Sequence, residues 1–125
     1  MVKVVAINKE VREKVKGKAD GHCWYCGCSL TDKRWNVDHF MPVKRHPDTG
    51  VMEHPERDAF DNLVPACSPC NRLKSSLDLE VFRSRIQQFV ESLNKYHNQY
   101  KFAKSYGLVK ETNDDVVFWF EQNGK

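Results

Sequence analysis

The sequence predicts a small α+β domain, because strand-like and helix-like segments both occur along its 125 residues. A hydrophobic content of 40% suits a modest core, so an additional stabilising element is expected. Two cysteine pairs of identical spacing supply that element: Cys23-x-x-Cys26 and Cys67-x-x-Cys70. Four thiolates in two such turns are the ligand set of a tetrahedral structural zinc site. We therefore expect a single domain over residues 1–125 that one zinc ion closes.

The N-terminal third of the chain contains two strand-like runs with a helix between them. Residues 2–7 are rich in β-branched side chains, and Asn8 can cap the helix that follows. Gly17 is expected to end that helix. Residues 35–40 alternate between apolar and polar side chains, as a half-buried strand does, until Pro42 stops the pattern.

A second strand and a helix are predicted after a long connection. Residues 43–61 hold two prolines and few periodic apolar side chains, which indicates a surface loop that is functional or mobile. Residues 63–66 can return as a strand antiparallel to the first, and Pro65 suggests an edge position. The second cysteine pair then leads into a helix that continues through Lys74.

Residues 78–125 predict a helical extension that ends in a strand. Apolar residues recur at helical spacing over 79–93, and the helical pattern continues to a terminator at Gly107. Core packing is the simplest interpretation of this apolar face. Residues 116–120, with the sequence VVFWF, predict a short strand that closes the domain.

Polar residues suited to phosphodiester chemistry fall within the segment that the zinc would close. They lie in three motifs, in this order: Asp38-His39-x-x-Pro42, Asn62-Leu63 and Cys67-x-x-Cys70-Asn71-x-x-Lys74. With the first cysteine pair, these motifs resemble the HNH endonuclease family over residues 21–77. The resemblance implies a ββα-metal core, in which strand, loop, strand and helix surround a catalytic divalent cation. Because Asn71 stands at the last position, the chain resembles the His-Asn-Asn variant of the family.

The resemblance implies a role for each polar residue in phosphodiester hydrolysis. His39 is the expected general base, since an imidazole of pKa about 6.5 can take a proton from water near neutral pH. Asp38 and Asn71 are expected to hold one divalent cation, Mg²⁺ or Mn²⁺, at the scissile phosphate. Asn62 is expected to orient His39 or the long loop. Strand alternation would point Asp38 and His39 to opposite sides, so a bend at the end of the strand is expected.

The distribution of basic residues favours DNA as the partner. The formal charge is +3, and lysines and arginines are concentrated near the N-terminus. Arg72 and Lys74 are expected to contact flanking phosphates without reading the base sequence. A chain of this size offers little surface for reading many base pairs, so relaxed specificity or a homodimer is expected. The helix over 79–93 and the segment at 116–120 are the candidate dimer surfaces.

Several other residues have the right chemistry but no spacing that assigns them a role. In the long loop these are Glu53, Asp58, Asp61, His46 and His54. Aromatic residues near the first cysteine pair are expected to pack around the zinc rather than to stack on bases: Trp24, Tyr25 and Trp35.

Two alternative functions remain open. A zinc-stabilised nucleic-acid-binding module would need the basic surface and the zinc but not His39. A thiol redox protein would use the cysteine pairs for exchange, although one zinc ion explains both pairs more simply. Five cysteines, with Cys28 left over as a packed thiol, fit a reducing, cytoplasmic compartment. No apolar run has the length of a signal segment or a membrane span, so no membrane partner is expected.

Overall fold

The computed structural model describes residues 6–125 and divides the chain into two compact units. The first unit comprises Met1–Leu79 and Val117–Lys125, and the second comprises Glu80–Val116. The second unit is therefore inserted into the sequence of the first. Most of the run at residues 2–7 lies outside the described residues. None of the helices that the structure describes has both the length and the apolar character that a membrane span requires.

Helix α1 spans Lys9–Gly17 and begins at the predicted cap, where Asn8 Oδ1 accepts a backbone N–H of the first turn at 2.9 Å. Just beyond the helix, Lys18 Nζ donates to the carbonyl oxygens of Phe60 and Leu63 at 2.5 and 2.7 Å. Burial lowers the pKa of Lys18. Lys18 thus fastens the end of α1 to the region where the long loop ends.

The centre of the first unit is an antiparallel pair of strands. β1 spans Trp35–His39 and β2 spans Leu63–Cys67, in a register that places His39 opposite Leu63. Every residue of β2 is buried. Pro65 is tolerated in β2 because each strand of a two-stranded sheet has a free edge. This pairing confirms the predicted return of the chain after the long loop.

Helix α2, Ser68–Lys74, begins directly after β2. Pro69 stands in its first turn, where a missing N–H costs no intrahelical hydrogen bond. The second cysteine pair therefore lies at the junction of a strand and a helix. Strand, loop, strand and helix follow one another as predicted, and the α+β class is confirmed.

Helices occupy most of the second unit: α3 (Leu79–Gln87), α4 (Phe89–Tyr96) and α5 (Asn98–Ser105). The single helix expected over residues 79–93 is interrupted at Gln88. The Gln88 N–H is shared between two carbonyl oxygens of the preceding turn, at 3.1 and 3.3 Å, so the hydrogen-bond ladder changes step there. Gly107 has a φ of 75°, as its predicted role of helix terminator requires.

Glu111 ties the segment after α5 back to the helices of the second unit. Its Oε2 accepts from the Tyr100 hydroxyl and the Asn94 amide at 2.5 and 2.7 Å. Its Oε1 pairs with Lys104 Nζ at 3.2 Å. These partners, the Tyr100 hydroxyl foremost, lower the pKa of Glu111 to about 2.

The C-terminal segment returns to the first unit and covers the first cysteine pair. The backbone N–H groups of Trp119 and Phe120 donate to the carbonyl oxygens of Tyr25 and Trp24 at 2.9 and 3.1 Å. The Trp24 ring stacks on Phe120 with centroids 5.4 Å apart, and Tyr25 meets Phe118 edge-on at 5.8 Å. The packing expected of Trp24 and Tyr25 is therefore observed.

The closing strand predicted at residues 116–120 is wrong, because helix α6 occupies Trp119–Gln122. The Glu121 carboxylate accepts the N–H of Phe118 at 2.9 Å, which stabilises the start of this helix. The next two N–H groups bond to the cysteine turn, so they are not free for a strand partner. Phe118 and Phe120 are buried, so part of this apolar run is explained by packing within the first unit.

Candidate active site and zinc site

The sulfur atoms of the two cysteine pairs lie together in the first unit. The four Sγ atoms are within 4.8 Å of one another, and Cys26 Sγ lies 3.8 Å from Cys67 Sγ. A tetrahedron of sulfurs around zinc, with Zn–S distances of about 2.3 Å, has edges of about 3.8 Å. No other cluster of three potential His, Cys, Asp or Glu ligands occurs in the described residues. The four cysteines thus fit a single metal ion such as zinc.

The cysteine cluster already favours a thiolate at Cys23. Hydrogen bonding with Cys70 lowers the pKa of the Cys23 thiol to about 4, and the buried Cys23 sulfur also accepts the N–H of Cys67 at 3.4 Å. The same contact raises the pKa of Cys70, because the two sulfurs share one proton. Burial raises the pKa of Cys28 to about 12, so this fifth cysteine remains a thiol outside the ligand set.

Asp38 is held in the interior by two donors. Its Oδ2 accepts from the Tyr25 hydroxyl at 2.5 Å and pairs with Lys74 Nζ at 3.1 Å. Burial, reinforced by the Asp38 charge, raises the pKa of Tyr25, so its hydroxyl stays protonated and donates. Lys74 is fully buried and also donates to the carbonyl oxygen of His39 at 3.1 Å. Lys74 was expected to contact a phosphate. Its ammonium is instead buried against Asp38 and β1, so it does not reach the surface.

The other oxygen of Asp38 faces Asn71. The Asn71 amide nitrogen lies 3.4 Å from Asp38 Oδ1, so the structure brings the two expected cation ligands together. Asn71 lies in α2, three residues before the buried Lys74 that ends the helix. Arg72 is exposed on the same helix.

His39 is the last residue of β1, and the chain bends immediately after it. Its Nε2 lies 2.9 Å from Oδ1 of Asp58, a buried carboxylate of the long loop. Asp58 lies 19 positions from His39 in an irregular segment, where no periodicity relates the two residues. The structure reveals the contact, and the sequence contains no signal for it.

The Asn62 side chain forms hydrogen bonds with backbone groups at both ends of the long loop. Its Oδ1 accepts the N–H of Met41 at 2.9 Å, and its amide donates to the carbonyl oxygens of Met41 and Arg57 at 2.8 and 2.7 Å. One side chain therefore joins the two ends of the loop. Asn62 was expected to orient either His39 or the long loop, and these hydrogen bonds are consistent with the second role.

Comparison with known proteins agrees with this geometry. Residues 23–77 match the family model described as HNH endonuclease. This match covers less than half of the chain, and the stretch that is similar to the family is called the HNH domain below. The matched residues include both cysteine pairs and the four polar residues expected at the catalytic centre, and they lie within the first unit. No curated protein and no solved structure matches the chain significantly.

Asp38 and His39 both line one open cavity of about 310 Å³ at the surface of the HNH domain. Regular strand alternation would point these two side chains to opposite sides, but His39 is the last residue of β1, so the alternation ends there. Lys44, Arg45 and Ser75 also line this cavity. Lys44 and Arg45 lie in the long loop, so their approach to the cavity was not predicted from sequence. The HNH domain thus combines a carboxylate, an imidazole and two cationic side chains around one space.

Proposed function

We propose that this chain is a metal-dependent DNA endonuclease that hydrolyses phosphodiester bonds. The observation that carries the proposal is the meeting of Asp38 and His39 on one cavity inside an HNH domain, with Asn71 beside Asp38. A phosphoryl site needs a base for water and oxygen ligands for a cation, and these side chains can supply both.

The donor set around Asp38 Oδ1 suits a hard divalent cation. Tyr25 and Lys74 occupy Oδ2, so Oδ1 remains available, and Asn71 can turn its amide to present its oxygen beside it. Carboxylate and amide oxygens favour Mg²⁺ or Mn²⁺ over softer ions. When bound, such a cation would stabilise the negative charge that develops on the phosphate and on the leaving oxygen.

His39 is the proposed general base. Its Nε2 is engaged by Asp58, so Nδ1 is the nitrogen left to accept a proton from water. The water oxygen forms a bond to phosphorus while the bond from phosphorus to the 3′ oxygen breaks, and the leaving 3′ oxygen takes a proton from solvent. The products are a 5′ phosphate and a 3′ hydroxyl, as in the HNH family that the chain resembles.

Charged residues around the cavity have different proposed tasks. The buried ammonium of Lys74 compensates the Asp38 charge and, with Tyr25, fixes the direction of the carboxylate. The proposed task of the exposed Arg72 and of Lys44 and Arg45, which line the cavity, is to contact flanking phosphates, which contributes affinity without reading sequence.

A zinc-stabilised DNA-binding module without cleavage is the second candidate. It is favoured by one observation: the protein's own Lys74 and Tyr25 side chains satisfy one oxygen of Asp38. In that case the buried cluster would be structural. Binding would then require Arg72 and the zinc site but would be indifferent to His39.

Conversion of supercoiled plasmid to nicked or linear DNA tests the proposal. Wild type is expected to cleave with Mg²⁺ or Mn²⁺, and omission of the ion is preferable to EDTA because the structural zinc is then retained. His39→Ala should abolish cleavage, whereas His46→Ala, which removes an exposed histidine of the long loop, should cleave as wild type does. A wild type that binds plasmid but never cuts it would favour the binding module.

A further inference from the structure

We propose that Asp58 is a positioning residue for His39, which rests on the proposed nuclease function. Asp58 would hold the Nε2–H tautomer of the imidazole and fix the plane of the ring, so that Nδ1 is presented to the attacking water. The contact that motivates the proposal joins His39 Nε2 and Asp58 Oδ1 at 2.9 Å. A neutral imidazole carries one N–H, so the nitrogen that donates to a carboxylate leaves the other as the acceptor.

Asp58 is more deeply buried than His39, as a positioning role for Asp58 requires. The Asp58 side chain is 8% exposed, whereas His39 is 25% exposed and lines the cavity. A buried carboxylate has few alternative donors, so it holds the ring in one orientation. The imidazole keeps one edge accessible, which is where a substrate water would be received.

The long loop holds Asp58 from both sides. The N–H of Asp58 donates to the carbonyl oxygen of Pro55 at 3.1 Å, which closes a tight turn. The neighbouring Arg57 donates from its guanidinium to the carbonyl oxygen of Pro42 at 2.8 Å. Asn62 donates to the carbonyl oxygen of Arg57 at 2.7 Å. Asn62 therefore reaches His39 indirectly, because it fixes the turn that carries Asp58.

The chemistry of proton transfer gives this arrangement a purpose beyond fastening the loop. When Nδ1 takes the proton of water, the ring becomes a cation, and the carboxylate at Nε2 stabilises that cation. An ion pair that only fastened the loop would affect stability, but it would leave the chemical step unchanged once the protein is folded. The two roles therefore differ in the catalytic rate constant and in the tautomer of His39.

The tautomer can be measured without any cleavage assay. In ¹⁵N-labelled full-length protein with zinc bound and no Mg²⁺, a ¹H–¹⁵N spectrum at pH 8 should show His39 as the Nε2–H tautomer. A His39→Ala spectrum assigns the signal among the five histidines. Asp58→Ala should replace that signal by an average of both tautomers. A wild-type ring found as the Nδ1–H tautomer, or averaging freely, would overturn the proposal.

Steady-state cleavage kinetics supply the second readout. Asp58→Ala should lower kcat by roughly 10–100-fold, the usual effect of losing a partner that orients a functional histidine, with DNA affinity within about 2-fold of wild type. Asp58→Asn keeps the size of the side chain, and its kcat should lie between those of wild type and Asp58→Ala. Glu53→Ala, which removes an exposed carboxylate of the same loop, should leave kcat unchanged.

The outcomes separate the two proposals. If wild type cleaves and both Asp58 variants keep its kcat and its tautomer, the positioning role is refuted while the nuclease stands. If wild type shows the Nε2–H tautomer but never cleaves, the nuclease proposal fails and the contact is structural. A kcat that falls together with a change of tautomer, in a variant that remains folded, supports the positioning role.

Discussion

Replacing Lys74 with methionine would remove the charge that accompanies Asp38 in the interior. Lys74 is fully buried, and its ammonium lies 3.1 Å from Asp38 Oδ2 and 3.1 Å from the His39 carbonyl oxygen. Removing one partner of a buried pair costs about 3–5 kcal/mol, because the other charge is left uncompensated. Methionine fills a similar volume, and Tyr25 still donates to Asp38, so we expect a loss of about 3 kcal/mol in the free energy of unfolding.

Urea unfolding followed by tryptophan fluorescence measures this loss in the correct part of the molecule. The three tryptophans of the chain, Trp24, Trp35 and Trp119, all belong to the first unit. Zinc is kept in excess so that metal loss does not limit stability. Lys14→Met is the control, because Lys14 is 63% exposed and its pair with Glu10 is worth at most about 0.5 kcal/mol.

A double-mutant cycle decides whether the pair is the cause. Asp38→Asn and Lys74→Met should each destabilise the protein, and the double variant should be more stable than the sum of the two losses predicts. A coupling energy below about 0.5 kcal/mol would refute the reasoning, because independent sites add within that margin. So would a Lys74→Met variant as stable as the Lys14→Met control.

Further predictions concern other parts of the chain. Gly27→Ala should cost about 2–3 kcal/mol, because Gly27 has a φ of 79° and an added Cβ would lie 2.5 Å from a ring atom of Trp119. Gly50→Ala, at a φ of 71° with open space around it, should cost only about 1 kcal/mol in the same urea assay. Zinc removal should unfold the first unit reversibly, as seen in tryptophan fluorescence, because metal binding energy is folding energy. Arg72→Ala should reduce the slope of log Kd for DNA against log salt by about 1. Acid should destabilise the second unit: the folded pKa of Glu111 is about 2, below the unfolded value near 4.3, so its contribution is present above about pH 4.3 and is lost as the pH falls toward 2. Hydrogen exchange of the second unit, with Glu111→Gln as the comparison, measures this effect.

Each of these predictions has an outcome that would contradict it. Equal losses for Gly27→Ala and Gly50→Ala would mean that the ring of Trp119 moves aside without cost. Fluorescence unchanged after complete zinc removal would mean that the core of the first unit suffices alone. An unchanged salt slope would place Arg72 away from the DNA backbone. Acid sensitivity that persists equally in Glu111→Gln would assign the effect to another carboxyl group.

The sequence predicted those elements whose patterns are local and periodic. The alternation at residues 35–40 and the spacing of the cysteine pairs predicted β1, the zinc cluster and the start of α2, because spacing alone constrains them. The helical face at 79–93 was also predicted, although the change of hydrogen bonding at Gln88 was not. Apolar periodicity does not indicate where the helical hydrogen-bond pattern is interrupted.

The residues that were missed depend on tertiary contacts. Asp58 lies in an irregular loop, where sequence distance says nothing about spatial distance. Lys74 was expected at the surface, because lysines are seldom buried without a partner, and the partner Asp38 lies on another element. Residues 116–120 form an apolar, strand-like run, yet the N–H groups of Trp119 and Phe120 donate to the turn of the first cysteine pair, a contact that local pattern cannot anticipate.

The position of Trp119 and Phe120 has a consequence for biosynthesis. These residues bond to the turn around Trp24 and Tyr25, although the whole second unit lies between them in the sequence. A nascent chain that has emerged as far as α5 already contains both cysteine pairs and every proposed catalytic residue, but it lacks the aromatic cover of the cysteine turn. The first unit can therefore complete its folding only after the ribosome has translated the whole inserted unit and the C-terminal segment that follows it.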